Sequence, residues 1–177
     1  MEIMEVIRSR RSIRKFQDRK VADDVLRCLV EAGSLAPSAS NLQAWKFILV
    51  TDEALVRKVD MFSPGLSGKP PVIMAICSDY AYADKRGGAN AKIYGCIMDA
   101  SMAAENIMLA AVEYGLGTCA IKSYNEAAVR KLLKLPEHIH MELLISIGYP
   151  EGDARLPARK SLSEILSYNE WRAQDEE

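Results

Sequence analysis

Residues 92–114 carry a helical pattern in which Ile93, Ile97, Ala100, Ala104, Ile107, Met108, Ala111 and Val112 spread widely around the axis. A helix apolar over so much of its surface has to be buried from several sides, and the rest of the chain has to supply that cover. Gly115 is placed to end it, because only glycine enters the left-handed C-terminal turn without steric cost.

The flanking segments read as alternating helices and strands. Residues 2–9 and 23–35 place apolar side chains at helical intervals, the second through Val25, Leu26, Leu29, Val30 and Leu35, with Asp23 and Asp24 in its first turn and Pro37 as its stop. Residues 45–50 form a short aromatic and β-branched strand, after which Thr51 is placed to cap a helix over 52–61. A loop over 63–71 leads into an apolar strand at 72–77, and Gly87 and Gly88 mark a turn. Strands at 117–121 and 142–147 bracket a helix near 126–133 closed by Pro136, and Ser161 to Glu164 form a capping-box pattern. This is a mixed α/β or α+β domain with about four or five strands, whose order periodicity does not give. At 177 residues the chain reads as one domain over 1–177.

Bulk properties exclude several classes. Hydrophobic residues make up 49% and charged ones 27%, as in a globular protein. Twenty-three basic against twenty-four acidic residues leave a formal charge of −1, so no global field draws the chain to nucleic acid or an anionic membrane. Residues 1–5 lack a basic and then apolar leader and no apolar run approaches a membrane span, so the expected location is the cytoplasm. Cys28, Cys77, Cys96 and Cys119 show no metal-ligand spacing and are expected to be buried, reduced thiols. His138 and His140 lack a third ligand nearby, and no metal is expected. Asp99 and Glu105 on the long helix read as interface or surface pairs.

Two stretches carry chemistry. Residues 8–15 hold five positive charges, as Arg8, Arg10, Arg11, Arg14 and Lys15, together with Ser12. Guanidinium forks and a hydroxyl suit a phosphate monoester, which bidentate hydrogen bonds both neutralise and orient. Taken alone, such a cluster also fits a solvated surface. Residues 36–47, Ala-Pro-Ser-Ala-Ser-Asn-Leu-Gln-Ala-Trp-Lys-Phe, put a polar turn between helix and strand, where small side chains let a flat ring approach the backbone. The alternative there is an ordinary turn with Asn41 bonded to its own backbone.

Together the two stretches resemble the nitroreductase family of FMN-dependent oxidoreductases. Arg10-Arg11-Ser12-Ile13-Arg14-Lys15-Phe16 is similar to the family's R-[RH]-S-x-[RK]-x-F opening, and Ala36 to Phe47 to its A-P-S-x-x-N-x-Q-P-W-x-F segment. The resemblance continues through residues 99–111, Gly115-Leu116-Gly117-Thr118-Cys119, Ile147-Gly148-Tyr149-Pro150 and residues 159–165. It implies an α+β fold with a central, mostly antiparallel sheet flanked by helices, in an interlocked homodimer with FMN at each end of the interface.

Position by position, the resemblance implies that Arg10, Arg11, Ser12 and Arg14 hold the FMN phosphate and the ribityl and pyrimidine edge, with Arg159 returning to the phosphate. Pro37, Ser38, Ala39 and Asn41 would line the flavin from the partner subunit, and the backbone of Lys122 and Ser123 would lie along its reactive edge. Lys122 and Ser123 stand where many members have Gly or Glu-Gly, and Ala44 where proline is usual. Lys69, in a loop without a clear counterpart, is a further candidate. The expected reaction passes hydride from NADH or NADPH through the flavin to a nitroaromatic, quinone or similar small acceptor, with no side-chain nucleophile. Two alternatives are a specialised flavin reaction on the same scaffold, such as reductive dehalogenation or a biosynthetic oxidation, and a non-catalytic flavin-binding protein. A basic-arm nucleic-acid binder is disfavoured by the net charge.

Overall fold

The runs 72–77 and 142–147 are apolar at most positions, and the fold places them where both faces are covered. The computed structural model describes residues 2–66, 68–152 and 154–171. In it β2 (Val72–Asp79) and β4 (Ile139–Gly148) pair at the centre of a four-stranded sheet, with β1 (Trp45–Val50) outside β2 and β3 (Gly117–Ile121) outside β4. All three pairings are antiparallel, so the α+β expectation holds with a sheet antiparallel throughout.

Helices cover both faces. On one, Met74, Ile76, Ile145 and Ile147 pack against Leu26 and Leu29 of α2 (Asp23–Ser34) and Ile107 of α5 (Cys96–Glu113). On the other, Ile73, Ala75 and Leu144 pack against Val56 and Val59 of α3 (Glu53–Met61) and Val129 of α6 (Glu126–Leu132). Each fully buried aliphatic side chain contributes about 1.5–3 kcal/mol, which is why near-continuous apolar strands settle in the middle layer. Two short helices, α1 (Ile3–Ser9) and α7 (Leu162–Ile165), stand at the ends of the chain, the latter with the expected capping box of Ser161 and Glu164.

The turn expected at Gly87 and Gly88 is a kink: α4 (Tyr80–Asn90) is interrupted at Gly88, and the helical course then continues through a π-helical turn at Ala91–Gly95 into α5. Gly88, at φ +73 and ψ −173, lies outside the helical region, so the helix breaks there and resumes at once. Gly87 lies against Leu42 and Ala91, so closely that a Cβ there would fall 2.8 Å from Leu42 and 2.5 Å from Ala91. By length and composition the stretch Tyr80–Glu113 could cross a membrane, with an 18-residue window of mean hydropathy 1.2, yet half of that window is buried inside the protein. The rod ends where expected: Gly115, at φ +66, donates to Val112 O, and Leu116 N donates to Ala111 O.

Two smaller expectations change, and the two histidines take their places. Asp52, not Thr51, caps α3, its carboxylate accepting Leu55 N–H at 2.8 Å. Cys28 is exposed, because α2 turns Leu26, Leu29 and Gly33 inward and leaves position 28 on its outer side; Cys77, Cys96 and Cys119 are buried, free thiols. His138 and His140 do not face a common ligand. His138 is exposed, while the His140 ring stacks on Tyr80 at 3.9 Å.

Candidate functional site

The arginine stretch is held against the free edge of β3. Ile13 N–H donates to Thr118 O at 2.8 Å, Ser12 and Thr118 form a parallel bridge, and further on Phe16 bridges Pro150. Gly117 lets this happen: a Cβ there would lie 2.5 Å from Ile13. Backbone contacts thus fix the segment and leave its side chains outward, with Ser12 and Arg14 exposed and Arg10 and Arg11 half-buried. Arg10 Nε pairs with Glu105 of α5 at 3.3 Å, and Arg11 Nη1 donates to the carbonyls of Arg8 and Arg10. Glu105 is therefore the surface partner that the sequence suggested, and its role is to orient a member of the cluster.

A second loop joins this cluster to the end of β3. In the loop 63–69, Gly65 N–H donates to Ser123 O at 3.0 Å, and a Cβ on Gly65 would meet Ile121 at 2.6 Å and Ser123 at 3.1 Å. Gly68, at φ +76, lies on the Arg14 backbone so closely that a Cβ would fall 1.8 Å from Arg14 O. The two glycines staple Ser123 to Arg14, and Lys69 follows directly in the left-handed region at φ +48. Ser67 lies outside the described residues. Lys122 Nζ donates to Met141 O at 3.3 Å beside the Tyr124 hydroxyl at 3.4 Å. Residues 10–14, Lys69, Lys122 and Ser123 thus share one edge of the sheet. Buried beneath the loop, Ser63 Oγ has no hydrogen-bond partner among the described residues.

The loop 37–43 sits elsewhere in the protomer, on the long helical rod. Ala39 N–H donates to Asp99 Oδ1 at 3.0 Å, and the Ser38 hydroxyl accepts Gln43 N–H at 3.1 Å. Asn41 does not close on its own backbone; its carbonyl and side-chain oxygen accept from Gln43 Nε2 at 3.2 and 3.1 Å. Ser40, Asn41 and Gln43 all have positive φ, near 50°, a conformation that costs non-glycine residues about 1–3 kcal/mol each and clusters at ligand clamps. Pro37 and Asn41 are exposed, Ser38 and Ala39 half-buried. Asp99 is buried, which charge spacing on a helix could not reveal. Burial pushes its carboxyl pKa up, and the Ala39 hydrogen bond draws it back.

Arg159 does not join the cluster within the protomer. It lies on a stretch, residues 155–171, whose side chains are all exposed, and no hydrogen bond ties it to residues 10–14 among the described residues. That stretch carries Leu156, Leu162, Ile165, Leu166, Tyr168 and Trp171 outward. The rod is also open on one side. Asp99, Ala100, Ala103, Ala104 and Ile107 are buried, while Ile93, Tyr94, Ile97, Met98 and Met102 are exposed, alongside Ile3, Met4 and Ile7 of α1.

One buried carboxyl lies beside the Lys122 end of the sheet. Glu142 occupies a bulge in β4, where the pairing passes from Ile76 with Leu143 to Cys77 with Met141. Its Oε1 has no hydrogen-bond partner among the described residues. Burial raises its pKa, against the opposing influence of Ser78, Lys122, Tyr80 and His140. A carboxyl with a raised folded-state pKa gives up stability as pH climbs from its unfolded value through the folded one, and costs nothing below both. Glu142→Gln is therefore expected to stabilise the fold at pH 7–8 by about 1 kcal/mol, the scale of an unsatisfied buried polar atom. Thermal denaturation should show this gain shrinking toward pH 4; a gain that persists there, or a loss at neutral pH, contradicts the assignment.

A profile described as the nitroreductase family matches residues 7–70 and 63–149. An Archaeoglobus fulgidus protein named NADH dehydrogenase/NAD(P)H nitroreductase is 33% identical over 86% of this chain and 87% of its own length. A Methanothermobacter thermautotrophicus protein of the same name is 32% identical over 85% of this chain and 78% of its own. The crystal structure of a protein so named from Parabacteroides distasonis superposes with a TM-score of 0.85 at 29% identity, covering 97% of this chain and 99% of that one.

Proposed function

Because this chain belongs to the nitroreductase family, we propose that it is an FMN-dependent oxidoreductase that takes hydride from NADH or NADPH and delivers it to a small acceptor such as a nitroaromatic or quinone. The observation that carries this reading is the shared sheet edge: the Gly65 and Gly68 contacts bring the arginine stretch and the Lys122 strand end into one wall. That wall offers guanidinium groups for a phosphate at one end and close backbone at the other, the two needs of a phosphorylated flat ring.

Bound there, FMN would supply the two-electron chemistry, and the protein supplies position and electrostatics. Arg10, Arg11, Ser12 and Arg14 would bind the phosphate and the polar edge, with Glu105 orienting Arg10. Lys122 and Ser123 would hold the reactive edge of the ring, Ser123 being fixed through its carbonyl by Gly65 N–H. Lys69 is placed to add positive charge beside Arg14. No side chain has to act as a nucleophile.

The site is completed by a second copy of the chain in this reading. The exposed face of the rod, Ile93, Tyr94, Ile97, Met98 and Met102, is the kind of contiguous apolar surface that marks an association site. Pairing two rods would cover it, bring Pro37, Ser38, Ala39 and Asn41 of one subunit to the ring of the other, and give the exposed stretch bearing Arg159 a surface to lie on. The names of the relatives support NAD(P)H-linked oxidoreduction and leave the acceptor open.

The purified protein is expected to be yellow, or to become so with FMN, and to lose its flavin absorbance when NADH or NADPH is added without oxygen. A colourless protein that cannot be reconstituted sinks the reading. A bound flavin that neither nicotinamide reduces replaces the enzyme with a flavin-binding protein.

A further inference from the structure

Asp99 alone among the charged residues of α5 is buried. Removing a carboxylate from water is costly unless hydrogen bonds replace the lost solvation. Here the replacement comes from outside the helix, as Ala39 N–H at 3.0 Å. The helix has thus given up solvation of a charge in order to grip a loop.

The surrounding rod is shaped for the same contact. A Cβ at Gly95 would meet the Ala39 Cβ at 3.3 Å, and one at Gly87 would meet Leu42 at 2.8 Å. Beyond the Gly88 kink, Ala91, Gly95 and Asp99 follow one another at intervals of four. On a regular α-helix, with about 3.6 residues per turn, such a row drifts around the axis by roughly 40° per step. The wider turn at Ala91–Gly95 works against that drift, so the row keeps facing the loop. Three residues of the loop are in left-handed conformations, which persist only when neighbours over-determine them.

We propose that Asp99 is a positioning residue for the cofactor: by holding Ala39 N–H it fixes the 37–41 loop in the strained shape that lines the ring. This rests on the reading of Pro37, Ser38, Ala39 and Asn41 as ring-lining residues. Asp99 touches neither the ring nor a reacting atom, and acts through Ala39.

The bond can be cut from either side. Asp99→Ala removes the acceptor. Ala39→Pro removes the donor and leaves α5 intact; proline suits the first position of the 3-10 turn at Ala39–Asn41, and Ser38, at φ −139 and ψ 151, already has the extended backbone a following proline requires. Asp99→Asn keeps an acceptor oxygen, and Ile107→Val loosens the same helix far from the loop. FMN affinity is read by flavin fluorescence quenching on the full chain, with thermal unfolding recorded for each variant.

The expected result is a loss of FMN affinity of about tenfold or more in both Asp99→Ala and Ala39→Pro, the scale of a charge-assisted hydrogen bond. Asp99→Asn should recover most of it, and Ile107→Val should lower the melting temperature with no change in affinity. Wild-type affinity in both Asp99→Ala and Ala39→Pro overturns the role while leaving the cofactor reading in place. An equal loss in Ile107→Val also overturns it, since stability alone would then account for the effect. A wild-type chain that binds no FMN overturns the cofactor reading, and the positioning role with it.

Discussion

Met98→Asp is expected to yield a folded monomer that no longer retains FMN. Met98 is 57% exposed at the middle of the open face of the rod, with Ile97 beside it and Tyr94 and Met102 a turn away on either side. Within one protomer an aspartate there meets water and costs little. Between two rods it would be a carboxylate taken out of solvent without a partner, a penalty of several kcal/mol, added to the lost burial of the methionine itself. Sedimentation velocity would show the change in mass, and the flavin absorbance of the purified variant would show the loss of cofactor. A variant that stays dimeric moves the interface elsewhere. One that becomes monomeric and keeps its flavin shows that a single chain builds the whole site.

The second large effect is expected at the arginines. Arg14→Ala and Arg10→Ala should each weaken FMN retention by about 1.5–3 kcal/mol, the value of a hydrogen bond to a charged group. The two should differ in their dependence on Glu105. Arg10 is half-buried and paired with that carboxylate, so Glu105→Gln should reproduce part of the Arg10→Ala loss and none of the Arg14→Ala loss. Isothermal titration with FMN, and with riboflavin as a ligand lacking the phosphate, separates charge recognition from ring contacts. Equal loss for both ligands would show that these arginines do not read the phosphate.

Much of the fold was legible because strands and helices here carry strong local signals. The run Trp45–Val50 became β1 at its expected bounds, and the apolar segments 72–77 and 142–147 became the two central strands. What failed to show was set by tertiary contacts. The glycine pair at 87 and 88 marked a real break, but the helix resuming directly beyond it, with Gly87 packed on Leu42 and Ala91, was not visible. Strand order was equally hidden, since pairing β2 with β4 joins segments far apart in the chain and leaves no periodic trace.

The candidate site divided in the same way. The arginine cluster and the 37–41 loop stood out as composition, but the devices that position them did not. Glycines at 65, 68 and 117 look like ordinary loop or strand-end residues until a Cβ on each is seen to strike the Ser123, Arg14 or Ile13 neighbourhood. Asp99 reads as a surface charge because its partner is a backbone N–H sixty residues away, which side-chain spacing cannot register. Glu142 escaped notice for a related reason: the bulge that places it shifts the strand alternation by one residue.

The attachment of residues 12 and 13 to Thr118 has a further consequence for solubility. β3 is an outer strand of the sheet, and an outer strand presents unpaired backbone groups that another polypeptide can extend into aggregates. The Ser12 bridge and the Ile13 hydrogen bond occupy part of that border, and the adjoining arginines surround it with like charge that repels a second copy approaching edge to edge. The segment proposed to recognise an anion thereby also guards the folded protein against its own kind.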